Sequence, residues 1–189
     1  MIEQPVIETA RLRLRPIERS DASAIQREAG AREIADTMIS IPHPYPANEA
    51  ERYVARQQIE REAGRAVTFS IIHKAEGRFC GLVELRDIDR EHSLGELSFW
   101  LAVDAWGQGY MSEAVQAVVR YGFEGLGLNR LYAYQMLRNP ASGRVLEKNA
   151  FKQEGLLRQR VRKWGQFEDV ALWAILRQEW QDNRASEPV

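Results

Sequence analysis

The chain has 189 residues, 26 of them basic and 27 acidic, with 44% hydrophobic and 28% charged positions. That composition excludes a disordered or collagen-like chain, and the near-neutral balance excludes a general electrostatic pull towards nucleic acid. No apolar run approaches the roughly 20 residues of a membrane-spanning helix, and Met1 to Ala10 lacks the apolar stretch of a secretory signal, so one domain, residues 1–189, in the cytoplasm is the expectation.

Arg11 to Pro16 alternates Leu12 and Leu14 with arginines and predicts a first strand with one wet face. Ser20 and Asp21 are placed to cap a short helix through Ala29, and a weaker helical stretch reaches about Met38. The prolines of Pro42-His43-Pro44-Tyr45-Pro46 exclude regular structure. Asn48, three residues before Glu51, predicts a capping box for a charged helix ending near Gly64. Strands are then expected at Val67 to His73, Phe79 to Ile88 and Leu94 to Leu101, separated by turns at Glu76-Gly77 and Arg90 to Ser93. Cys80, the only cysteine, lies in this apolar pattern and is expected to pack; alone, it supplies neither a disulfide nor a cysteine-rich zinc site.

The third of these strands runs into Trp106-Gly107-Gln108-Gly109-Tyr110, after which Ser112 is expected to open a helix carrying Ala114, Val115, Val118, Val119 and Phe123. Leu131 to Met136 predicts another strand, Ala141 to Asn149 another helix, and Phe151 to Arg160 with Val170 to Leu176 two closing strands. The class is α+β with a mixed sheet. At the strand-to-helix junction, Gly107 and Gly109 allow successive backbone N–H groups to point into one concavity, a nest suited to a pyrophosphate. The Gly-Lys-Ser/Thr ending of a triphosphate loop and the third glycine of a dinucleotide fingerprint are both missing. By spacing alone, a strand-to-helix turn without a ligand is an equal alternative.

Gly95-Glu96-Leu97-Ser98-Phe99-Trp100-Leu101, the Trp106 to Tyr110 turn and Asn139-x-x-Ser142 occur in that order. Thr9-x-Arg11-Leu12-x-Leu14-Arg15-Pro16 precedes them and Glu147-Lys148-Asn149-x-Phe151 follows. Together they resemble the GNAT N-acetyltransferase superfamily, in its ribosomal-protein-alanine acetyltransferase-like branch, over nearly the whole chain. The resemblance implies a mostly antiparallel sheet of about seven strands, flanked by helices and splayed at its centre, with acetyl-CoA as cosubstrate. The family's phosphate loop falls on Trp106, Gly107, Gln108, Gly109, Tyr110 and Met111, with Trp106 for the usual polar first residue and Met111 for the small last one. The same resemblance adds Trp100, Leu101, Val103, Ser112, Asn139, Ser142 and Lys148 to the coenzyme contacts. It makes Asn139 a hydrogen-bond partner of the pantetheine arm and Ser142 the proton donor to the departing thiolate. From the residues alone, both instead cap the helix that begins near Ala141, with Pro140 where a helix tolerates proline.

Attack by an amine on a thioester needs a neutral amine, an oxyanion donor and a proton for the thiolate. Strand alternation puts Glu96 on one face with Ser98 and Trp100, and Leu97, Phe99 and Leu101 on the other, so its carboxylate can line a cleft, although for a lone glutamate a solvated strand position is the plainer reading. The resemblance makes Glu96 the candidate base, acting through a water, with a backbone N–H near Leu101 at the splay as the oxyanion donor. An α-amine is about a tenth neutral at pH 7, a lysine about a few parts in ten thousand, so a weak carboxylate base suits the former. A protein N-terminus, ribosomal or other, and a small amine such as an antibiotic or polyamine both remain open, as does a non-catalytic acyl-CoA sensor. Tyr45, Tyr134, Trp164 and Asp169, with Phe167 nearby, are the candidates for the acceptor side. The histidines at 43, 73 and 92 are scattered, so no metal is expected. Arg158, Arg160 and Arg162 alternate along a late strand and form a solvated face rather than an RNA contact. Sheet edges permit a homodimer, but no residue identifies the edge.

Overall fold

The computed structural model describes residues 2–185. Strands β1 (Ile7–Glu8), β2 (Leu12–Pro16), β3 (Val67–His73), β4 (Arg78–Asp89), β5 (Leu94–Leu101), β6 (Arg130–Met136), β7 (Lys152–Lys163) and β8 (Gln166–Leu176) form one sheet in the order β1-β2-β3-β4-β5-β6-β8-β7. Every neighbouring pair is antiparallel except β5 with β6. The eighth strand relative to expectation is β1, two residues long and too short to leave an alternating pattern.

Helices α1 (Ala22–Ala29), α2 (Arg32–Thr37), α3 (Glu49–Glu62), α4 (Tyr110–Arg120), α5 (Pro140–Lys148) and α6 (Arg177–Ala185) flank the sheet. α4 buries Ala114, Val115, Val118 and Val119, a stripe at helical spacing, against Leu97 and Leu101 of β5 and the inner residues of β2 to β4. Ile25 of α1 and Val54 of α3 share the second cluster with Leu82 and Trp100. The alternation along β5 thus delivers Leu97 and Leu101 to one side of the sheet and Trp100 to the other, as the sequence predicts.

Three expectations are corrected. Asn48 forms no capping box: it has φ 60 and no side-chain cap bond, because the chain enters α3 through a left-handed residue that turns the amide away from the first-turn N–H groups. Asp21 does not cap α1 with its side chain. It is buried, Arg15 donates to both its oxygens at 2.8 and 2.6 Å, and it also accepts from Glu18 N–H and the Ser70 hydroxyl. α4 begins at Tyr110 rather than Ser112, since Gly109 at φ 78 is already its N-cap. α6, polar along its length, has no sequence signal that competes with the strand before it.

Gly81 decides how closely β4 and β5 approach. Its φ is 149, and a Cβ built there would lie 2.2 Å from the Trp100 carbonyl oxygen and 2.8 Å from Leu101 Cα. Only a residue without a side chain permits that backbone contact beside the open end of β5.

Candidate active site

The parallel pairing of β5 with β6 covers Leu94↔Arg130, Gly95↔Leu131 and Glu96↔Tyr132, and stops there. Beyond Glu96 the strands diverge, each still held by its outer neighbour, β4 or β8. The Ala102 N–H donates to the Cys80 carbonyl at 2.8 Å. In an antiparallel ladder the residues facing the partner alternate, so Phe99 and Leu101 aim their N–H and C=O away from β4, into the gap. The Leu101 carbonyl accepts from the Trp106 indole at 2.9 Å, leaving Phe99 N–H, Phe99 C=O and Leu101 N–H directed at the opening. A cavity of about 460 Å³ fills this wedge, and Arg86, Arg144 and Lys148 against Glu96 alone give its lining a net positive charge.

The glycine turn forms one end of the cavity. Gly107 and Gly109 have φ 74 and 78, values that favour glycine, and both line the space at the start of α4. Tyr110 and Met111 are buried, and Met111 packs into the main core. Gln108 turns outward, its amide donating to the Asp104 carbonyl at 3.0 Å, and Val103 lies in the short turn before the loop; neither side chain lines the cavity. Arg11, part of the quoted N-terminal motif but given no role from the sequence, buttresses the glycine turn without lining the cavity. Its guanidinium donates to the Gln108 carbonyl at 2.9 Å and to Glu113 at 2.8 Å, and stacks 4.7 Å over the Tyr110 ring. Thr9 also donates to Glu113, at 2.6 Å. The first turn of α4 is thereby tied to the start of β2 with a cation beside the loop.

At the other wall, the Asn139 side chain accepts from Ser142 N–H at 3.3 Å, so Asn139 caps α5 and Ser142 stands inside the first turn. The expectation that Ser142 caps this helix is therefore corrected: α5 begins at Pro140, one residue earlier than expected, and its third residue supplies an amide rather than a cap. Both residues line the cavity. Buried Gln135, which no sequence pattern singles out, donates to the Asn139 carbonyl at 2.9 Å and accepts from the Trp173 indole at 2.8 Å, fastening the turn to β6 and β8.

Glu96, the last β5 residue paired with β6, is buried and lines the cavity. Arg86, directly opposite on β4, binds it through Nη2 and through Nε at 3.1 Å, and reaches Glu84 at 3.4 Å. Burial pushes the Glu96 carboxyl above its usual range, against the pull of Arg86. Glu84 in turn accepts from the Tyr53 hydroxyl at 2.9 Å and from Thr68 at 3.3 Å. A second cavity of about 260 Å³ opens on this face and shares Arg86, Ser98, Phe99 and Trp100 with the first.

The acceptor-side candidates do not converge. Tyr45 lines the second cavity and Tyr134 the first, while Trp164 and Asp169 line neither. Trp164 lies in the β7–β8 turn under Arg32, Arg138 and Lys163, with ring-to-charge distances of 5.3, 6.0 and 5.5 Å. Lys163 donates to the carbonyls of Met38 and Ile41 at 2.8 and 2.5 Å, so this corner pins the loop over the cavities. Asp169 accepts from Gln159 N–H at 2.7 Å, where β7 bulges. Phe167 is exposed under Arg162, and Cys80 is buried and free. Among the described residues no group of histidine, cysteine and acidic side chains is arranged to hold a metal, and no helix is long and apolar enough to cross a membrane.

Residues 11–152 match the acetyltransferase (GNAT) domain family. The chain is 32% identical over 172 residues to the uncharacterized N-acetyltransferase p20 of Bacillus licheniformis, covering 91% of this chain and 96% of that protein. It is 25% identical over 171 residues to the spermidine N(1)-acetyltransferase of Vibrio cholerae, covering 90% and 96%. A RimL ribosomal α-N-protein acetyltransferase in complex with coenzyme A superposes with a TM-score of 0.84 at 20% identity, over 91% of this chain and 98% of that one, a likeness of fold.

Proposed function

The chain belongs to the acetyltransferase (GNAT) family and is an N-acetyltransferase; from that premise we propose that acetyl-CoA lies in the wedge between β5 and β6 and that a primary amine reaches it from the Glu96 face. The observation that carries this reading is the coincidence, in one cavity, of the unpaired backbone beyond Glu96, the left-handed glycine turn and a positively charged lining. The fit is chemical at each part. The N–H groups around Gly107 and Gly109, with Arg144 and Lys148, suit phosphates; Phe99, Leu101 and Asn139 suit the amides of a pantetheine arm. Trp106 contributes by holding the Leu101 carbonyl, and Trp100 and Ser112 by walling the cavity.

The coenzyme, when bound, supplies the thioester and its thiolate leaving group. Glu96 accepts the proton of the incoming ammonium through a water, aided by the burial that raises its carboxyl. The Leu101 N–H faces the gap, where it can stabilise charge gathering on a carbonyl oxygen. Ser142, which lines the cavity, gives its hydroxyl proton to the departing sulfur and regains one, through water, from the nitrogen as the amide forms. The acceptor chemistry of relatives, ribosomal proteins in one case and spermidine in another, sets the classes to test.

Following free thiol while the protein is incubated with acetyl-CoA and a pool of N-terminal peptides, polyamines and aminoglycosides tests the reading. Acetylated amine with stoichiometric thiol is expected. Tight coenzyme binding without turnover on any amine would leave an acyl-CoA sensor.

A further inference from the structure

The two cavities differ in charge, and the difference bears on which amine enters. The wedge is lined by Arg86, Arg144 and Lys148 against Glu96, whereas the 260 Å³ chamber has Glu49 and Glu84 balanced by Arg56 and Arg86. Neither chamber carboxylate is free: Glu49 lies 3.7 and 3.5 Å from Arg52 and Arg56, and Glu84 is held by Arg86, Tyr53 and Thr68. The remaining walls are mostly apolar or aromatic, chiefly Ile25, Ala29, Tyr45, Leu82, Phe99 and Trp100, with Ser40, Gln57 and Ser98 as polar positions. Tyr45 belongs to the irregular Pro42–Pro46 segment, whose approach Lys163 fixes through Met38 and Ile41.

Resting on the acetyltransferase reading, we propose that this chamber is the acceptor pocket and that it takes a singly charged primary amine bearing an aromatic-sized apolar body, in preference to a polyamine. Continuity supports the assignment, since Ser98, Phe99 and Trp100 line both spaces and an amine resting on them lies beside the gap beyond Glu96. Charge supports the class. One ammonium meets Glu96 of the wedge, whose Oε1 takes both Arg86 contacts and whose Oε2 is left for it, and its apolar remainder lies against apolar walls. A polyamine brings further cations into a lining whose carboxylates already have partners, and a buried charge without a partner is strongly disfavoured. The size is at the small end for a ligand site, which suits one ring and a short chain. The same chemistry comes from a free arylalkylamine or from the first residue of a peptide.

The test is steady-state thiol release at saturating acetyl-CoA with 2-phenylethylamine, phenylalanine amide, a tripeptide beginning with phenylalanine, and spermidine. At least one phenyl-bearing amine should exceed spermidine in kcat/KM by tenfold or more; the tripeptide against the free amine separates the two sources. Tyr45→Ala should lower kcat/KM for that amine about tenfold, Tyr45→Leu should restore most of it, and KM for acetyl-CoA should stay parental in both. If either variant folds poorly, titration of CoA-saturated parent with 2-phenylethylamine and spermidine reads the same preference directly. Equal or better use of spermidine overturns the proposal while leaving the acetyltransferase reading intact. Coenzyme binding with no amine acetylated overturns both.

Discussion

Gly109→Ala separates the phosphate-binding role of the glycine turn from its role in the fold. Gly109 has φ 78 and ψ 3, and a Cβ added there would meet only Arg11 Nη2, at 3.5 Å, an ordinary contact. The variant therefore suffers no clash, and its folding penalty is the left-handed backbone of a single non-glycine residue, about 1–2 kcal/mol. For a chain of this length that lowers the thermal midpoint by about 2–8 °C. Coenzyme binding should suffer separately, because a residue that resists the left-handed conformation re-aims the backbone donors of the turn. Losing one charge-assisted bond removes about 1.5–3 kcal/mol, or roughly 10- to 100-fold in Kd. Gly107→Ala is the companion, at φ 74 with nothing within 4 Å of its added Cβ. Circular dichroism melting and calorimetric titration with coenzyme A read the two effects. A folded Gly109→Ala protein that binds coenzyme A with parental affinity refutes the pyrophosphate assignment.

Gly81→Ala has the opposite signature: with its Cβ 2.2 Å from a backbone carbonyl, the strands must separate, and urea unfolding should show a loss of at least about 1–3 kcal/mol. Ser142→Ala should keep the parental thermal midpoint, because Asn139 is the cap, while slowing single-turnover transfer about 10- to 100-fold; a parental rate removes Ser142 as the acid. Asn139→Ala should cost about 0.5–2 kcal/mol of stability and also raise KM for acetyl-CoA. Glu96→Gln should lower transfer about 10- to 1000-fold, most below about pH 8, where the amine needs help in losing its proton; an unaltered pH–rate profile leaves Glu96 out of the mechanism. Burial works against ionised Asp21, but Arg15, Glu18 N–H and Ser70 outweigh it and hold its carboxyl below the usual range. Its contribution to stability is therefore complete above the unfolded value of about 3.9 and lost as pH falls through the lower folded value, so Asp21→Asn should flatten acid unfolding in that window.

What the sequence made legible follows the length and regularity of its patterns. β3 and β5 occupy the predicted residues because each is a run of apolar and β-branched or aromatic positions bounded by turn residues. The wedge was expected from family motifs, and its backbone pairing bears that out, but the contacts that make it rigid have no periodicity. Arg11 acts across the fold on Glu113, 102 positions away, and Gln135 acts through a carbonyl and an indole. Gly81 had a readable signal, a glycine inside a strand, yet only the strand spacing shows what it permits. Trp164 and Asp169 were drawn to the acceptor side by residue type, and the hairpin places them at its own turn and bulge instead.

The position of Glu96 ties these parts into one argument. Arg86, opposite on β4, pairs with its backbone and binds its carboxylate, Tyr132 lies beside it on β6, and the sheet opens at the next residue. One pair earlier, a carboxylate would stand in the closed sheet away from the gap; further along, it would lose its β6 neighbour. Burial raises the carboxyl while Arg86 opposes the rise, and a raised carboxyl in a cleft is the setting expected of a general base. Arg144 and Lys148, the lining cations of α5, face the same cavity as Glu96. Charge thus differs between the two spaces: the wedge lining is net positive, the chamber lining is balanced, and Glu96 is the one carboxylate of the wedge.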